Sequence, residues 1–284
     1  MTSTLVRPHR PHPSPPRTAD PRARARDWAE IQERMLVPLY EAVYERLDVG
    51  AGTRLLGLGC GSGLALLMAA GRGASVCGVD TDEPRLALAR VRLGDPARLG
   101  LGGPESVCAR ETAAGSRFTV VTAFEPLSAP AAGGPGGPGG LDAAVSSLTA
   151  AAALTERGGA VVLAGWGPPE RCATSSVLRV GARLADPMCA PARWRPCGRD
   201  DLETLAERAG LRPDGSGRVA CPFGYADVDS AVRGLLSTGL FDAAERATDP
   251  TQVRKEIAEA LHPYQRPDGT VWMPNVLRYL IARV

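Results

Sequence analysis

The stretch Leu55–Ala70, LLGLGCGSGLALLMAA, constrains the fold more than any other part of the chain. Glycines at 57, 59, 61 and 63 divide an apolar run from a second apolar run made of good helix formers. Glycine adopts positive φ and lets a ligand approach bare backbone, and a helix starting straight after such a turn presents unpaired amide donors. The stretch therefore reads as strand, turn and helix. A phosphate-binding loop needs Gly-Lys-Ser/Thr where the helix starts, but Gly63 is followed by Leu64 and Ala65. A dinucleotide fingerprint, G-x-G-x-x-G/A, started at Gly57, Gly59 or Gly61 ends on Ser62, Leu64 or Leu66 and fails as well. What remains is G-x-G-x-G over Gly59–Gly63, a turn suited to a smaller zwitterionic group. About 20 residues further on, the apolar segment Ser75–Val79 ends in Asp80, the place for a carboxylate that accepts ribose hydroxyl protons.

The pattern repeats along the chain. Residues 1–26 are rich in Pro and Arg and read as a tail. Apolar residues at helical spacing from Trp28 to Leu47, interrupted by Pro38, predict two short helices over 27–47. Strands are expected at Thr53–Leu58, Ser75–Val79, weakly at Ser106–Cys108, at Arg117–Phe124 and at Ala160–Trp166. Helices are expected at Leu64–Ala70, after an Asp82 cap, and at Leu141–Leu154. The Gly/Pro stretch Ser128–Gly140 reads as a loop. Continuous apolar strands alternating with helices predict an α/β fold, a doubly wound and mostly parallel sheet covered on both faces. Beyond it, a helix is expected at Asp200–Ala209, a strand at Ser216–Cys221, helices at Val228–Leu236 and Gln252–Leu261, and an extended segment Thr270–Arg283 broken by Pro274. The two late helices lack a strand partner, so 223–265 is read as a helical cap over the active face of a single domain, 27–284.

Composition narrows the function. A net charge of +2 and a single lysine, Lys255, among 33 basic residues imply no polyanionic partner. No apolar run reaches the roughly 20 residues of a membrane helix, and no secretory signal opens the chain. Seven cysteines without a C-x-x-C pair predict reduced thiols in the cytoplasm and no metal site, Cys189 and Cys197 having no histidine near them.

LLGLGCGSGLAL followed by VCGVDTDEPRLALAR resembles the first two motifs of class I S-adenosylmethionine-dependent methyltransferases. Within them the chain is similar to the small-molecule branch related to ubiquinone and menaquinone biosynthesis (type 11). The likeness continues in FTVVTAFEPL, ERGGAVVLAGWGPPERC, DVDSAVRGLLSTG and PNVLRYLIARV, from Trp28 to the C-terminus. It implies a Rossmann-like seven-stranded sheet of order 3-2-1-4-5-7-6, with S-adenosylmethionine lying across the carboxyl ends of the strands and the N-terminal helices of 27–47 closing over it as a lid. By motif, Gly59, Cys60, Gly61 and Gly63 would hold the amino-acid end, Asp80 with Thr81 the ribose, and the adenine-binding acid would align with Ala109 or, with the gap placed differently, with Glu111. Three departures stand out: Gly57 replaces the family's acid, the third-strand motif is eroded in VCARETAAGSRF, and Thr119 replaces an aspartate.

Reacting atoms in such sheets lie beyond the strand ends, which places Phe124 and Glu125 near the transferred group and Trp166 beside them. Glu125 reads either as a base or substrate-orienting acid, or as a loop carboxylate. His262 reads either as a helix cap or as a substrate-facing base. Tyr40, Tyr225 and Tyr264 are candidates for an aromatic substrate wall as well as for packing. The expected function is methyl transfer to a small organic acceptor in specialised metabolism. The alternatives are a binder or cyclase of the same fold that transfers nothing, and a peptide methyltransferase. FEPL lacks the Asn/Asp-Pro-Pro-Tyr/Phe signature, so nucleic acid is not an expected substrate; the sequence leaves the oligomeric state open.

Overall fold

A computed structural model describes residues 20–94, 98–107, 117–127, 138–186 and 198–284. Glu111, Cys108, Cys189, Cys197 and most of the tail and the Gly/Pro stretch lie outside the described residues. Strands β1 (Arg54–Leu58), β2 (Ser75–Asp80), β3 (Leu99–Leu101), β4 (Phe118–Leu127), β5 (Thr155–Trp166), β6 (Arg212–Ala220) and β9 (Val276–Arg283) form one sheet. Its order is β3-β2-β1-β4-β5-β9-β6. Neighbours from β3 to β5 run parallel, and β9 inserts antiparallel between β5 and β6. The expected order therefore holds, with one small addition: β7 (Phe223–Tyr225) and β8 (Val271–Met273) pair as a separate ribbon, so the inserted strand is the ninth in chain order.

Helices cover both faces. On one side α2 (Val37–Arg46), α3 (Leu64–Gly71) and α6 (Thr174–Ala185) enclose Leu55, Val76, Val120, Val162 and Ile281. On the other, α5 (Pro138–Leu154) and α7 (Asp201–Arg208) bury Leu148, Leu202 and Leu205 against Leu56, Val79, Val121 and Leu163. Strand residues alternate between two apolar faces, the signature of a sheet buried on both sides.

Local chemistry sets the element ends. Asp82 Oδ1 accepts from Arg85 N at 3.0 Å and starts α4 (Glu83–Leu93), which Gly94 ends in the left-handed region. Pro38 sits in the first turn of α2, where its missing N–H costs nothing. Three expectations shift. The first helix, α1 (Pro21–Asp27), begins inside the segment read as tail because Asp20 caps it. The weak third strand lies at Leu99–Leu101, where its register follows Gly78–Asp80, while 105–107 is a helical turn. Helix α5 starts at Pro138, inside the segment read as loop, since proline is tolerated in a first helical turn.

The cap consists of α8 (Val228–Ser237), α9 (Asp242–Ala247) and α10 (Pro250–Leu261). It is joined to the N-terminal segment by Arg233 Nη1 to Asp27 at 3.1 Å, by Tyr225 OH donating to Gln32 Oε1 at 2.9 Å, and by the Arg24–Asp242 ion pair. Among the described residues no helix is long and apolar enough to cross a membrane.

Packing explains why position 57 carries no side chain. Gly57 faces Gly78 across the β1–β2 register, and Leu66 of α3, 1% exposed, lies over both. A Cβ at 57 would stand 3.0 Å from Leu66 Cδ2, and one at 78 would stand 2.6 Å from Leu66 Cδ1. Gly78→Ala is expected to cost about 1–3 kcal/mol by overpacking, measured by urea unfolding. In a Leu66→Ala background the same change should cost clearly less; equal costs in both backgrounds would refute the contact.

Candidate functional site

The turn between β1 and α3 bends through three glycines of positive φ: Gly59 (62°), Gly61 (57°) and Gly63 (83°). Every amide from Cys60 to Leu64 has a partner. Cys60 N bonds Val79 O at 3.0 Å, Gly63 N bonds Cys60 O at 2.9 Å, and Gly61 N bonds Asp80 Oδ2 at 2.7 Å. The other two belong to Glu33, whose Oε1 accepts from Ser62 N at 3.1 Å and Leu64 N at 3.4 Å. Its Oε2 takes the Ser62 hydroxyl and Arg92 Nη1, the latter at 2.9 Å. A carboxylate on a helix N-terminus, backed by a guanidinium, is a favourable arrangement.

Glu33 arrives there through an irregular backbone. Between α1 and α2 the chain makes a π turn, Trp28–Gln32, and then a 3-10 turn, Glu33–Leu36. In a regular helix residues five apart point about 140° away from each other. The π turn, closed by Glu33 N to Trp28 O, widens the coil and brings positions 28 and 33 onto nearly one face. Both meet the turn at the same place. A Cβ on Gly61 would lie 2.8 Å from Trp28 Nε1 and 2.9 Å from Glu33 Oε1.

Beneath them lies a cleft lined by Trp28, Glu33, Tyr40, Gly59, Phe124 and Glu125 among others. Its free volume is about 20 Å³, room for about one water. Tyr40 and Phe124 stand with ring centroids 4.8 Å apart, and Tyr44, hydrogen-bonded through its OH to Ala65 O at 2.8 Å, flanks Phe124 at 5.8 Å. Asp80, buried, also accepts from Asp82 N at 2.8 Å, so each of its oxygens holds one backbone N–H and keeps a second lone pair. Glu125 lies deep among protein atoms, yet half of its side-chain surface remains open. Burial pushes its carboxyl above the ordinary glutamate range; Arg85 opposes that shift while Asp80 and Asp82 add to it. Arg85 itself is buried. It donates to Ser237 O at 2.6 Å, lies 3.8 Å from Glu125 Oε1, and stacks on Trp28 at 4.1 Å from the ring centroid.

The structure thus brings Gly59, Cys60, Gly61, Tyr40, Phe124 and Glu125 to one cleft, with Asp80 on the turn's amide. Gly63 packs closely on α4, where a Cβ would stand 3.1 Å from Ala89 Cβ, and it is absent from the cleft lining. Thr81 is exposed. His262, exposed at the end of α10, is absent from the cleft lining. Trp166 and Tyr225 are buried beside Phe223, and Tyr264 lies 3.1 Å from the Ser176 hydroxyl; none of the three lines the cleft. Sequence reasoning missed Glu33, Arg85 and Arg92. Glu33 falls outside the apolar helical stripe of its segment, so its spacing signals solvent. Among the described residues no group of three His, Cys, Asp or Glu side chains is placed to hold a metal.

No protein-family model and no curated protein matches the chain. Solved structures do. The fold is similar to that of a "putative methyltransferase" from Bacillus halodurans, with TM-score 0.50 and 14% identity over 86% of this chain and 97% of that one. It is equally similar to that of the YcgJ protein of Bacillus subtilis, with TM-score 0.50 and 16% identity over 86% of this chain and 98% of that one. At these identities the likeness establishes the fold, a Rossmann-like seven-stranded sheet flanked by helices.

The thiol in the turn is chemically quiet. Burial, with Asp80 and Glu33 close by, pushes Cys60 up to about 12, and burial does the same to Cys221. Since the thiolate is the nucleophile, iodoacetamide at pH 8 should leave both unmodified in the native protein and alkylate both after unfolding. Rapid labelling of native Cys60, read by peptide mass spectrometry, would contradict this environment.

Proposed function

We propose that the chain binds S-adenosylmethionine at the carboxyl edge of the sheet and directs its methyl group to a small organic acceptor. One observation carries the reading: the carboxylates of Asp80 and Glu125 and the rings of Tyr40 and Phe124 converge on a bare glycine turn. Aromatic faces and carboxylates attract a sulfonium and an ammonium. The spare lone pairs of Asp80 suit ribose hydroxyls. The motif resemblance, including its small-molecule branch, and the likeness to the Bacillus halodurans protein support the same choice. The cleft holds about one water, so occupancy requires the Trp28–Leu36 segment to withdraw from the turn.

When bound, the sulfonium supplies an electrophilic methyl group. The chain's own residues orient, exclude water and handle a proton. Trp28, Tyr40 and Phe124 form the dry wall. Glu125 takes the proton released at the acceptor, and its raised carboxyl brings it closer to the operating pH, as a general base requires. Arg85 holds Glu125 from the α4 side. The covered cleft, roofed by the N-terminal segment with α8 packed on it, suits a small molecule better than a polypeptide. The reduced thiols of Cys60, Cys172 and Cys221 suit a reducing cytoplasm. A second reading, binding without transfer, draws on the eroded third-strand motif and on glycine at position 57 in place of an acid.

Calorimetric titration with S-adenosylmethionine and S-adenosylhomocysteine is the first test, and absence of binding both by the full chain and by its Glu33→Gln variant would refute both readings. Asp80→Ala should weaken binding at least about tenfold, the loss of charged hydrogen bonds; an unchanged dissociation constant would remove Asp80 from the site. Once an acceptor is found, the rate should rise with pH as Glu125 ionises, with a midpoint above the ordinary glutamate range. Glu125→Gln should abolish that limb, and a surviving limb would assign the base elsewhere.

A further inference from the structure

We propose that the glycine turn is a carboxylate receptor that Glu33 occupies as an internal stand-in, so that a ligand with a free carboxylate gains the site by displacing the N-terminal segment. The identity of the ligand rests on the functional reading above; the receptor itself is on display. Ser62 N, Leu64 N, the Ser62 hydroxyl and Arg92 Nη1 all converge on one carboxylate, that of Glu33. Such a set of backbone, hydroxyl and guanidinium donors recognises a carboxylate whether it comes from a side chain or from an amino-acid ligand.

Three features mark Glu33 as an exchangeable occupant. Cys60 N, Gly61 N and Gly63 N bond within the β1–β2 frame and its turn, whereas Ser62 N and Leu64 N bond to a separate segment. That segment is irregular at the contact: a π turn runs directly into a 3-10 turn at Glu33. Beside it, Trp28 Nε1 is buried against Gly61 without an acceptor. A buried donor without a partner raises the free energy of the closed form relative to one in which an acceptor sits there. The closed form also shrinks the cleft to about one water, so Glu33 and a ligand exclude each other.

Removing an acid from the lining of a cation-binding cleft ordinarily weakens binding; here it should strengthen it. Glu33→Gln in the full chain should tighten S-adenosylhomocysteine binding at least about tenfold. Hydrogen exchange of the 28–36 amides should quicken while β1, β2 and β4 keep their protection. Glu33→Asp, which keeps the charge but shortens its reach, should repeat the gain if the amide variant folds poorly. In the Glu33→Gln background, Arg92→Gln should cost S-adenosylhomocysteine about tenfold and 5′-methylthioadenosine, which lacks the carboxylate, less than about twofold. Equal losses for the two nucleosides would overturn the receptor. Binding by both proteins with the variant equal or weaker, or unchanged exchange at 28–36, would overturn the stand-in and leave the functional reading intact. Binding by the variant alone would support the inference, and binding by neither would overturn both.

Discussion

Negative charge at the carboxyl edge of the sheet is the constraint around which the structure is arranged. Glu33, Asp80 and Glu125 come from three different parts of the chain and meet at one glycine turn. Charges removed from water must be paired or hydrogen-bonded, and each of these is compensated differently. Asp80 rests on two backbone amides, Glu33 on two amides, a hydroxyl and Arg92, and Glu125 on the looser contact with Arg85. The least compensated carboxylate is also the most open one.

The apolar frame beneath explains where those acids stand. Leu66 packs over Gly57 and Gly78, so a side chain at 57 would meet Leu66 Cδ2 at 3.0 Å and one at 78 would overlap Leu66 Cδ1 at 2.6 Å. The negative charge near the turn comes instead from the N-terminal segment at Glu33, the end of β2 at Asp80 and the end of β4 at Glu125. Arginine serves on both sides of this arrangement. Arg92 pairs a buried carboxylate, and Arg85 spreads its guanidinium over an indole while tying α4 to the cap at Ser237. Planar, delocalised guanidinium suits both tasks better than a lysine ammonium would.

Cap and N-terminal segment form a continuous cover. Arg233–Asp27, Tyr225–Gln32 and Arg24–Asp242 join them, and Gly234 lets α8 come close to Ile31 and Gln32. The cover meets the sheet edge through polar contacts at the turn and at Arg85, together with aromatic packing on Phe124. The proposed exchange gives this cover two arrangements, and the fraction open would scale the apparent affinity of anything that binds beneath it. Room for about one water places the described arrangement at the closed end.

Much of this was legible in the chain itself. Continuous apolar runs alternating with helical ones specify a parallel sheet buried on both faces, and the alternating glycines specify the turn. Both are properties of local periodicity and of what a missing Cβ permits. The positions of Asp80 and Glu125 at the carboxyl edge were readable too, because the end of a parallel strand is a fixed address. The placement of Trp166, Tyr225 and Tyr264 away from the cleft was not: aromatic residues look alike in sequence whether they line a cleft or fill a core. Glu33 was hidden for a sharper reason. Its position faces solvent on a regular helix, and a single π turn, stabilised by contacts with residues 62, 64 and 92, rotates it inward. The sequence by itself determined the sheet, the turn and the strand-end acids, since those depend on neighbours along the chain. Only the tertiary structure decided which carboxylate occupies the turn, because that depends on a backbone irregularity held in place by partners about 30 and 60 residues away.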